Sequence, residues 1–559
     1  MKNIFKLTFA ASLLAFSVTS CIEEIDPQTS TVTAEQAANA PGAFDNFVAA
    51  VTSNLSGNCL YSGSNYYPYD YGYPAFFMQR DLMGMDMLVP FATGSEWFTS
   101  WYTISSGITN TTGIGSYLPW FYFYKYIDAS NAVLKLCGEE PSEDQYVGAG
   151  IAYTIRALSY LELAQMFGTA TYTADTQGLT VPLVKDTSTS EELAANPRAT
   201  NADMYASILE DLDNAEKYLA NYTRPDKTTP DISVVYGLKA RAYLLMGDWA
   251  NAKSYAEKAM VGYTMLSPSD LTDKVTGFNT PNDAWMFCYT TKSTDFIMIG
   301  NDCDTGWGAQ MIVEGAGHGC GYTANYVGPK RIDKHLYETI PYSDYRKKQF
   351  VDFSLDELET NAEKDAALLE YTGTCKDGSI SIAYDSWYDS SLGGVPVKFR
   401  PHNANYDDQY DGFLVSIPFM RVEEMKLIQA EAAGRLNEAE GIALLTAFAT
   451  ARDPEYVYGT HTDSYNNNSM SQFIREVWWQ RRVELWGEGF SFYDIKRLGT
   501  GIIRSYAGTN HLENYRWNTQ TVPDWFYLLI PSSEANNNEG IVQSPIFSRP
   551  TADSPEYAW

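Results

Sequence analysis

The sequence predicts a mainly α-helical fold, in which a scaffold of helical repeats carries long irregular loops. Apolar residues recur at helical spacing over three long segments, residues 116–136, 145–167 and 201–219. A fourth segment, residues 236–259, has the pattern of two short helices joined by a tight turn. Between residues 261 and 415 the helical period is mostly lost, which predicts a loop-rich region rather than more scaffold.

The chain begins with the pattern of a secretory leader. Lys2 and Lys6 supply positive charge, and residues 7–16 form an apolar run too short to span a bilayer. Small and polar residues then lead to Cys21, as a lipoprotein cleavage site requires. We therefore predict a lipoprotein signal peptide over residues 1–21 with Cys21 as the lipidated residue, and a single domain over residues 22–559. An ordinary cleaved signal with an incidental cysteine is the alternative.

The long helical segments have recognisable ends. Gly168 follows the second segment as a C-cap, and Asn201 opens the third as an N-cap. In residues 236–259 the turn falls at Gly247 and Asp248, and alanines on both sides let the two helices approach closely. This spacing is typical of a tetratricopeptide-like unit.

The same frame appears weakly later in the chain. Over residues 430–445, Gly434 is followed five positions on by an alanine, as Gly247 is in the stronger unit. We therefore predict that the repeat scaffold occupies residues 116–260 and 415–500, on either side of the loop-rich region.

Composition and charge exclude several classes of function. The formal net charge of −30 gives no electrostatic attraction to phosphate, so we expect no nucleic-acid binding, and a strongly anionic ligand is disfavoured. The motifs of zinc proteases, serine hydrolases and phosphate-binding loops are absent, and no CxxC pair occurs. We expect no catalytic residue, no cofactor and no metal site.

A charged segment near residue 484 has a structural interpretation. Arg481, Glu484 and Glu488 follow one another at about one helical turn. Such spacing brings charged side chains together on one helix face. We predict a buried or half-buried ion-pair network that locks the late helix, rather than catalytic chemistry.

Several segments together resemble the SusD/RagB family of outer-membrane lipoproteins. They are residues 156–160 with 165–168, Val181-Pro182-Leu183, residues 417–424 with 427–433, residues 481–489 with 494–497, and residues 528–534 with 543–545. The last segment departs from the family pattern, because Ser544 stands where an asparagine is usual. These matches run in the family's order over nearly the whole chain after the leader.

The resemblance implies a fold, a location and a partner. The fold would be helical, with about four tetratricopeptide-like units, long loops that form the ligand face, and no catalytic machinery. The protein would be lipid-anchored on the extracellular face of the outer membrane, where the acidic residues 22–26 resemble a surface-export signal of gut Bacteroidota. Its partner would be a SusC-like TonB-dependent transporter, to which it delivers an oligosaccharide or polysaccharide. A RagB-type peptide ligand is the alternative, and an adhesin or structural surface protein is a third.

Aromatic residues are the expected ligand contacts. The chain contains 41 Tyr and 13 Trp while only 19% of its residues are charged, and flat aromatic faces with few charges suit sugar rings. Taken from the loops that the family uses, the predicted aromatic contacts are Tyr69, Tyr71, Trp97, Trp101, Trp307, Tyr322 and Tyr326. The predicted polar contacts are Arg80, Asp81 and Asn301. Four other tryptophans are interpreted as packing residues, namely Trp120, Trp249, Trp478 and Trp486.

Overall fold

The computed structural model describes most of the chain after residue 41. The described residues are 42–53, 55, 67–92, 96–300, 306–315, 328–382, 390–461, 463, 465 and 470–559. By its internal contacts the chain divides into residues 1–43 and residues 44–559, and the second unit contains the features given below. Four predicted residues lie outside the described residues: Cys21, Asn301, Tyr322 and Tyr326.

Helices dominate the structure, which confirms the predicted fold class. The first of them are α1 (Ala43–Thr52), α2 (Tyr73–Met83), α3 (Thr99–Thr103), α4 (Ser106–Thr109), α5 (Ile114–Cys137), α6 (Tyr146–Phe167), α7 (Ser190–Ala194), α8 (Asn201–Leu219), α9 (Ile232–Met246) and α10 (Trp249–Ala259). None of the helices in the described ranges is both long enough and apolar enough to cross a membrane.

The second half of the chain supplies two kinds of helix. The short ones are α11 (Pro268–Leu271), α12 (Phe296–Ile299), α13 (Trp307–Met311), α14 (Lys334–Glu338), α15 (Asn361–Leu368) and α16 (Gln409–Gly412). The later ones are α17 (Val422–Leu436), α18 (Glu438–Thr450), α19 (Gln472–Glu484), α20 (Ser491–Leu498) and α21 (Ser532–Asn537). The short helices fall where the sequence loses its helical period.

The described ranges contain three two-stranded antiparallel sheets. They pair β1 (Met87–Leu88) with β5 (Arg331–Ile332), β2 (Leu179–Pro182) with β3 (Arg198–Thr200), and β4 (Trp285–Thr290) with β6 (Ser416–Arg421). In the first sheet Leu88 lies opposite Arg331. The pairings of β1 with β5 and of β4 with β6 tie the loop-rich region to the segments before and after it.

The ends of the scaffold helices follow local hydrogen bonding. Helix α6 ends before Gly168, whose N–H donates to the carbonyl of Ala164, as predicted. The predicted N-cap at Asn201 is wrong by one position, because the Thr200 side chain accepts the N–H of Asp203. The Asn201 side chain is buried and donates instead to loop carbonyls, so its polar group is satisfied away from the helix end.

The strong repeat unit is present as predicted. Helices α9 and α10 meet at Gly247, which has a φ of 73°, and the Asp248 side chain accepts the N–H of Asn251. Only a residue tolerant of positive φ allows so short a connection, because other side chains are strained there. Helix α10 also packs against α17, so the two scaffold regions are in contact.

The weak repeat is present as a pair of helices, and its turn lies three positions later than Gly434, where the frame of the stronger unit would put it. Helix α17 continues through Gly434 to Leu436, and the chain turns at Asn437. A Cβ atom at Gly434 would lie 2.1 Å from the Phe473 ring, and one at Gly441 would lie 2.3 Å from the Gly434 Cα. Both glycines therefore serve close helix packing, which explains why the spacing resembled a turn without making one.

Helix α2 lies in the middle of the core. All eleven of its residues are buried. Its apolar side chains join a large core that includes residues from the scaffold helices and from the segment after residue 500. Because Arg80 and Asp81 belong to this helix, their surroundings are set by core packing.

The predicted ion-pair network exists with partly different partners. Glu484 accepts from Arg421, Arg452 and Arg346 at 2.8, 3.0 and 3.3 Å. Glu488 contacts Arg421 as well, at 2.7 Å. Arg481 does not join this group, since its Nε donates to Asp494 at 2.7 Å. Residues distant in sequence, rather than neighbours on one helix face, therefore neutralise Glu484.

Candidate functional site

The part of the chain that connects α1 to α5 contains an aromatic cluster. We define the aromatic cluster as Tyr67, Tyr69, Trp97, Phe98 and Trp101. The rings of Tyr67 and Tyr69 stack with centroids 5.2 Å apart and an interplanar angle of 6°. Tyr69 also meets the edge of Trp101, at 5.5 Å. The structure thus brings together two of the predicted aromatic contacts, Tyr69 and Trp101, while the third, Trp97, adjoins Phe98 in sequence and packs against the same core.

Exposure divides the aromatic cluster into an outer and an inner part. Tyr67, Tyr69 and Trp97 are half-buried, so each retains surface that a ligand could cover. Trp101 is 1% exposed and contacts Phe98, with centroids 5.4 Å apart. The inner rings therefore support the outer ones, and Trp101 has no free face in this packing.

Tyr71 belongs to the inner support rather than to the surface. It is buried, and its ring lies 6.1 Å from that of Phe98. Burial raises the pKa of its phenol well above the ordinary value, and the nearby Glu96 adds to that rise. The hydroxyl of Tyr71 consequently stays protonated at any physiological pH.

Trp307 lies on a separate segment. It opens helix α13, is 2% exposed, and meets the edge of the Phe399 ring at 4.7 Å. Its indole is therefore packed inside the protein. Direct stacking of a ligand on Trp307 would require the residue to move, whereas stacking on Trp97 or Tyr69 would not.

A buried ion pair connects the segment of Trp307 with the aromatic cluster. The Lys330 ammonium lies 2.9 Å from the Glu96 Oε1 atom, and it donates to the Gln310 side-chain oxygen of helix α13 at 3.2 Å. Burial lowers the pKa of Lys330, and Glu96 opposes that shift. The two predicted loops are thus joined through residues that sequence reasoning did not select. No local pattern signals such a pair, because its members are 234 positions apart.

Arg80 and Asp81 are engaged within the protein. Arg80 forms an ion pair with Glu162 at 2.6 Å and donates to the Gly489 carbonyl at 2.8 Å. Asp81 accepts the N–H groups of Gly489 and Ser491, and burial raises its pKa to about 7. Both side chains hold α2 against residues 489–491. Their predicted contact with a ligand stays a prediction, and this packing gives them no surface for it.

The tryptophans interpreted as packing residues fit that interpretation. Trp120, Trp478 and Trp486 are buried, and Trp249 is half-buried beneath the guanidinium of Arg435, 5.0 Å from its ring centroid. Within the described ranges no group of three or more His, Cys, Asp or Glu side chains is placed to hold a metal ion.

Two long stretches of the chain match models of known protein families. Residues 83–244 match a family model described as starch-binding and associating with the outer membrane. Residues 330–547 match the model of the SusD family. A SusD-like protein from Formosa agariphila is 23% identical over 443 residues, which are 76% of this chain and 79% of the relative. The two family matches together span about two thirds of the sequence.

Solved structures with the same fold cover almost the whole chain. A SusD-like carbohydrate-binding protein from Bacteroides vulgatus superposes with a TM-score of 0.67 at 22% identity, over 89% of this chain and 97% of that one. A laminarin-binding SusD-like protein superposes with a TM-score of 0.59 at 18% identity, over 90% of this chain and 98% of that one. At identities this low, the superpositions establish a shared fold.

Proposed function

Because this chain is a member of the SusD family, we propose that it is a non-catalytic surface receptor that binds an oligosaccharide or polysaccharide. The observation that carries the proposal is the outer part of the aromatic cluster. There the rings of Tyr67 and Tyr69 stack, and Tyr69 meets the buried Trp101. Trp97, which adjoins the buried Phe98 in sequence, is half-buried as well. Such a surface can cover the apolar face of a sugar ring while the rim offers hydrogen-bonding groups.

Charge narrows the proposed ligand to a neutral glycan. The formal net charge of −30 disfavours polyanions, and the Lys330 ammonium beside Phe98 is buried and paired with Glu96. The support for a glycan from the relatives is that one structural neighbour is a carbohydrate-binding protein and another binds laminarin.

The remaining parts of the proposal concern location and delivery. We infer that Cys21 is lipidated, that the protein is held on the extracellular face of the outer membrane, and that it passes its glycan to a SusC-like TonB-dependent transporter. The support for these parts is the sequence pattern of the leader and the family description, which places its members in association with the outer membrane.

Calorimetric titration tests the proposed ligand class. Purified protein is titrated with laminarin, with other neutral polysaccharides, with an anionic polysaccharide and with mixed peptides. We expect binding to at least one neutral polysaccharide and none to the anionic one. Peptide binding with no glycan binding would replace the proposal with the RagB-type alternative.

The variant Trp97→Ala tests whether the aromatic cluster is the binding surface. Removing the half-buried indole should weaken glycan binding at least tenfold, which corresponds to about 1.4 kcal/mol. Trp249→Ala is the matched control, because Trp249 is also a half-buried tryptophan but lies on the repeat turn. Equal affinity of Trp97→Ala and wild type would place the site elsewhere.

A further inference from the structure

The Glu96–Lys330 pair is unusual for its position. Both side chains are 1% exposed, and they lie directly beside the rings of the aromatic cluster, with the ammonium 5.4 Å from the Phe98 centroid. Removing two charges from water costs free energy that their attraction repays only partly. A hydrophobic pair of the same volume would fill this space without that cost, so stability alone does not account for the pair.

One end of the pair is fixed by regular structure. Lys330 directly precedes β5, whose residue Arg331 lies opposite Leu88 of β1. Strand pairing therefore sets the position of the Lys330 backbone independently of Glu96. The ammonium extends from this fixed point to Gln310, which lies on the same short helix as Trp307.

The other end of the pair is the turn that presents Trp97. The Glu96 carboxylate accepts the N–H of Phe98 at 3.0 Å, and the backbone carbonyl of Glu96 accepts the N–H of Thr99 at 3.1 Å. Glu96 therefore organises the turn into α3 with both its backbone and its side chain. Any force that fixes the carboxylate also fixes the backbone on both sides of Trp97.

We propose that Glu96 and Lys330 are positioning residues, whose ion pair holds the Trp97 turn in its ligand-binding orientation against the segment of Trp307. Neither residue touches the ligand. The pair contributes to affinity by ordering the aromatic surface before binding, so that less freedom is lost when the glycan arrives. This inference rests on the proposed function, since it concerns the same surface.

Hydrogen exchange in the absence of ligand tests the structural part of the inference. In Lys330→Met the buried Glu96 carboxylate loses its cation, and the turn should open to hydrate it. We expect exchange at residues 96–103 to be at least tenfold faster, with little change at α9 and α10. Lys239→Met is the control, since Lys239 is also 1% exposed but lies on α9 and pairs with Asp213, which is 70% exposed, so no buried carboxylate loses its cation and exchange at residues 96–103 should not change. Unchanged exchange at residues 96–103 would overturn the inference.

Glycan titration of a pair of variants separates charge from packing. Lys330→Met should weaken binding at least tenfold. The double variant Glu96→Gln with Lys330→Met removes the uncompensated carboxylate as well, and should recover at least half of that loss on a logarithmic scale. Because it still lacks the ion pair, the double variant should remain at least threefold weaker than wild type, and wild-type affinity of the double variant would contradict positioning by the ion pair. If Lys330→Met does not fold, Glu96→Gln alone is measured, with a three- to tenfold loss expected and wild-type affinity contradicting the inference.

The two experiments also separate failure of the inference from failure of the proposed function. If wild-type protein binds no glycan, the proposed function fails, and the exchange experiment still decides whether the pair orders the turn. If wild type binds glycan, and Lys330→Met and the double variant bind it as tightly as wild type does, the proposed function stands and the positioning role is excluded.

Discussion

The protein buries cations in two different ways. Around Glu484, three arginines face carboxylates, and the charges are neutralised within the cluster. Elsewhere, other buried cations donate to backbone carbonyls and have no ion pair among the residues that the structure describes; Arg198, Lys496 and Arg504 are examples.

Two of these carbonyl-bound cations, Lys496 and Arg504, donate hydrogen bonds to carbonyls at the ends of helices. Lys496 donates to the carbonyls of Gln165 and Gly168, at the end of α6, at 2.7 and 2.6 Å. Arg504 donates to the carbonyls of Leu82 and Gly84, at the end of α2. The last carbonyls of a helix have no partner within the helix and carry partial negative charge, so a buried cation is a suitable cap.

The two groups differ in how firmly they hold their protons. Burial alone would raise the pKa of Glu484, but Arg452, Arg421 and Arg346 hold it well below the ordinary value. For the carbonyl-bound cations burial prevails, and it lowers the pKa of Arg198 and of Arg504 to about 10. It lowers the pKa of Lys496 to about 7. Carbonyl dipoles thus fix the geometry of a buried cation without securing its charge, whereas carboxylates secure both.

Removing the carboxylate at the centre of the paired group should have the largest effect. Glu484→Gln leaves three arginines with too few counter-charges in the interior, and should lower the free energy of unfolding by about 3–5 kcal/mol. Urea unfolding monitored by circular dichroism measures this change in the free energy of unfolding. The control is Glu210→Gln, which breaks an exposed pair with Lys185 and should cost less than about 1 kcal/mol. Similar losses in both variants would contradict the comparison.

Removing a carbonyl-bound cation should have a smaller effect that depends on pH. The pKa of Lys496 is lower in the folded state, about 7, than in the unfolded state, so unfolding takes up a proton between pH 7 and 10. The contribution of Lys496 to stability therefore rises over this window, by at most about 1.4 kcal/mol per pH unit. Lys496→Met should be about 1–3 kcal/mol less stable than wild type at pH 10 and closer to it at pH 6.

Urea titrations at several pH values provide the measurement for Lys496. The quantity to compare is the difference in the free energy of unfolding between wild type and Lys496→Met. A difference that does not change from pH 6 to 10 would mean that carbonyls hold the charge of Lys496 as firmly as carboxylates would.

Asp81 extends the comparison to a buried carboxylate and should show the smallest effect. It accepts backbone N–H groups, and burial raises its pKa to about 7. Because the folded pKa exceeds the unfolded one, its contribution to stability is present at low pH and is lost as pH rises from about 4 to 7. Asp81→Asn should therefore lie within about 1 kcal/mol of wild type at pH 5. Thermal unfolding should show a weaker loss between pH 5 and 7 in the variant than in wild type.

The scaffold was predictable from the sequence because its signals are local. Apolar periodicity gave the long helices, and Gly247 gave the turn of the strong repeat. Local signals failed where a residue served a distant neighbour. Gly434 resembled a turn residue because it is a glycine, but it is a glycine because the Phe473 ring lies against it. Asn201 resembled a cap, but its side chain binds loop carbonyls.

The candidate site was predictable only in its residue types. Aromatic composition and the family resemblance selected the loops that carry Trp97, Trp101 and Trp307, but they could not separate a half-buried Trp97 from a buried Trp101 or Trp307. That distinction depends on which rings the fold covers. The Glu96–Lys330 pair could not be predicted, because a single sequence carries no signal for an ion pair between residues so far apart.

The burial of α2 has a consequence for the order of folding. Its residues bond to groups far along the chain: Arg80 reaches Gly489, 409 positions later, and Met83 accepts from Trp525, 442 positions later. Contacts over such separations form slowly, because a long loop must close before they return any free energy. Helix α2 therefore cannot complete its environment as the chain emerges. A nascent chain that stops before residue 489 leaves this apolar helix exposed and prone to aggregation.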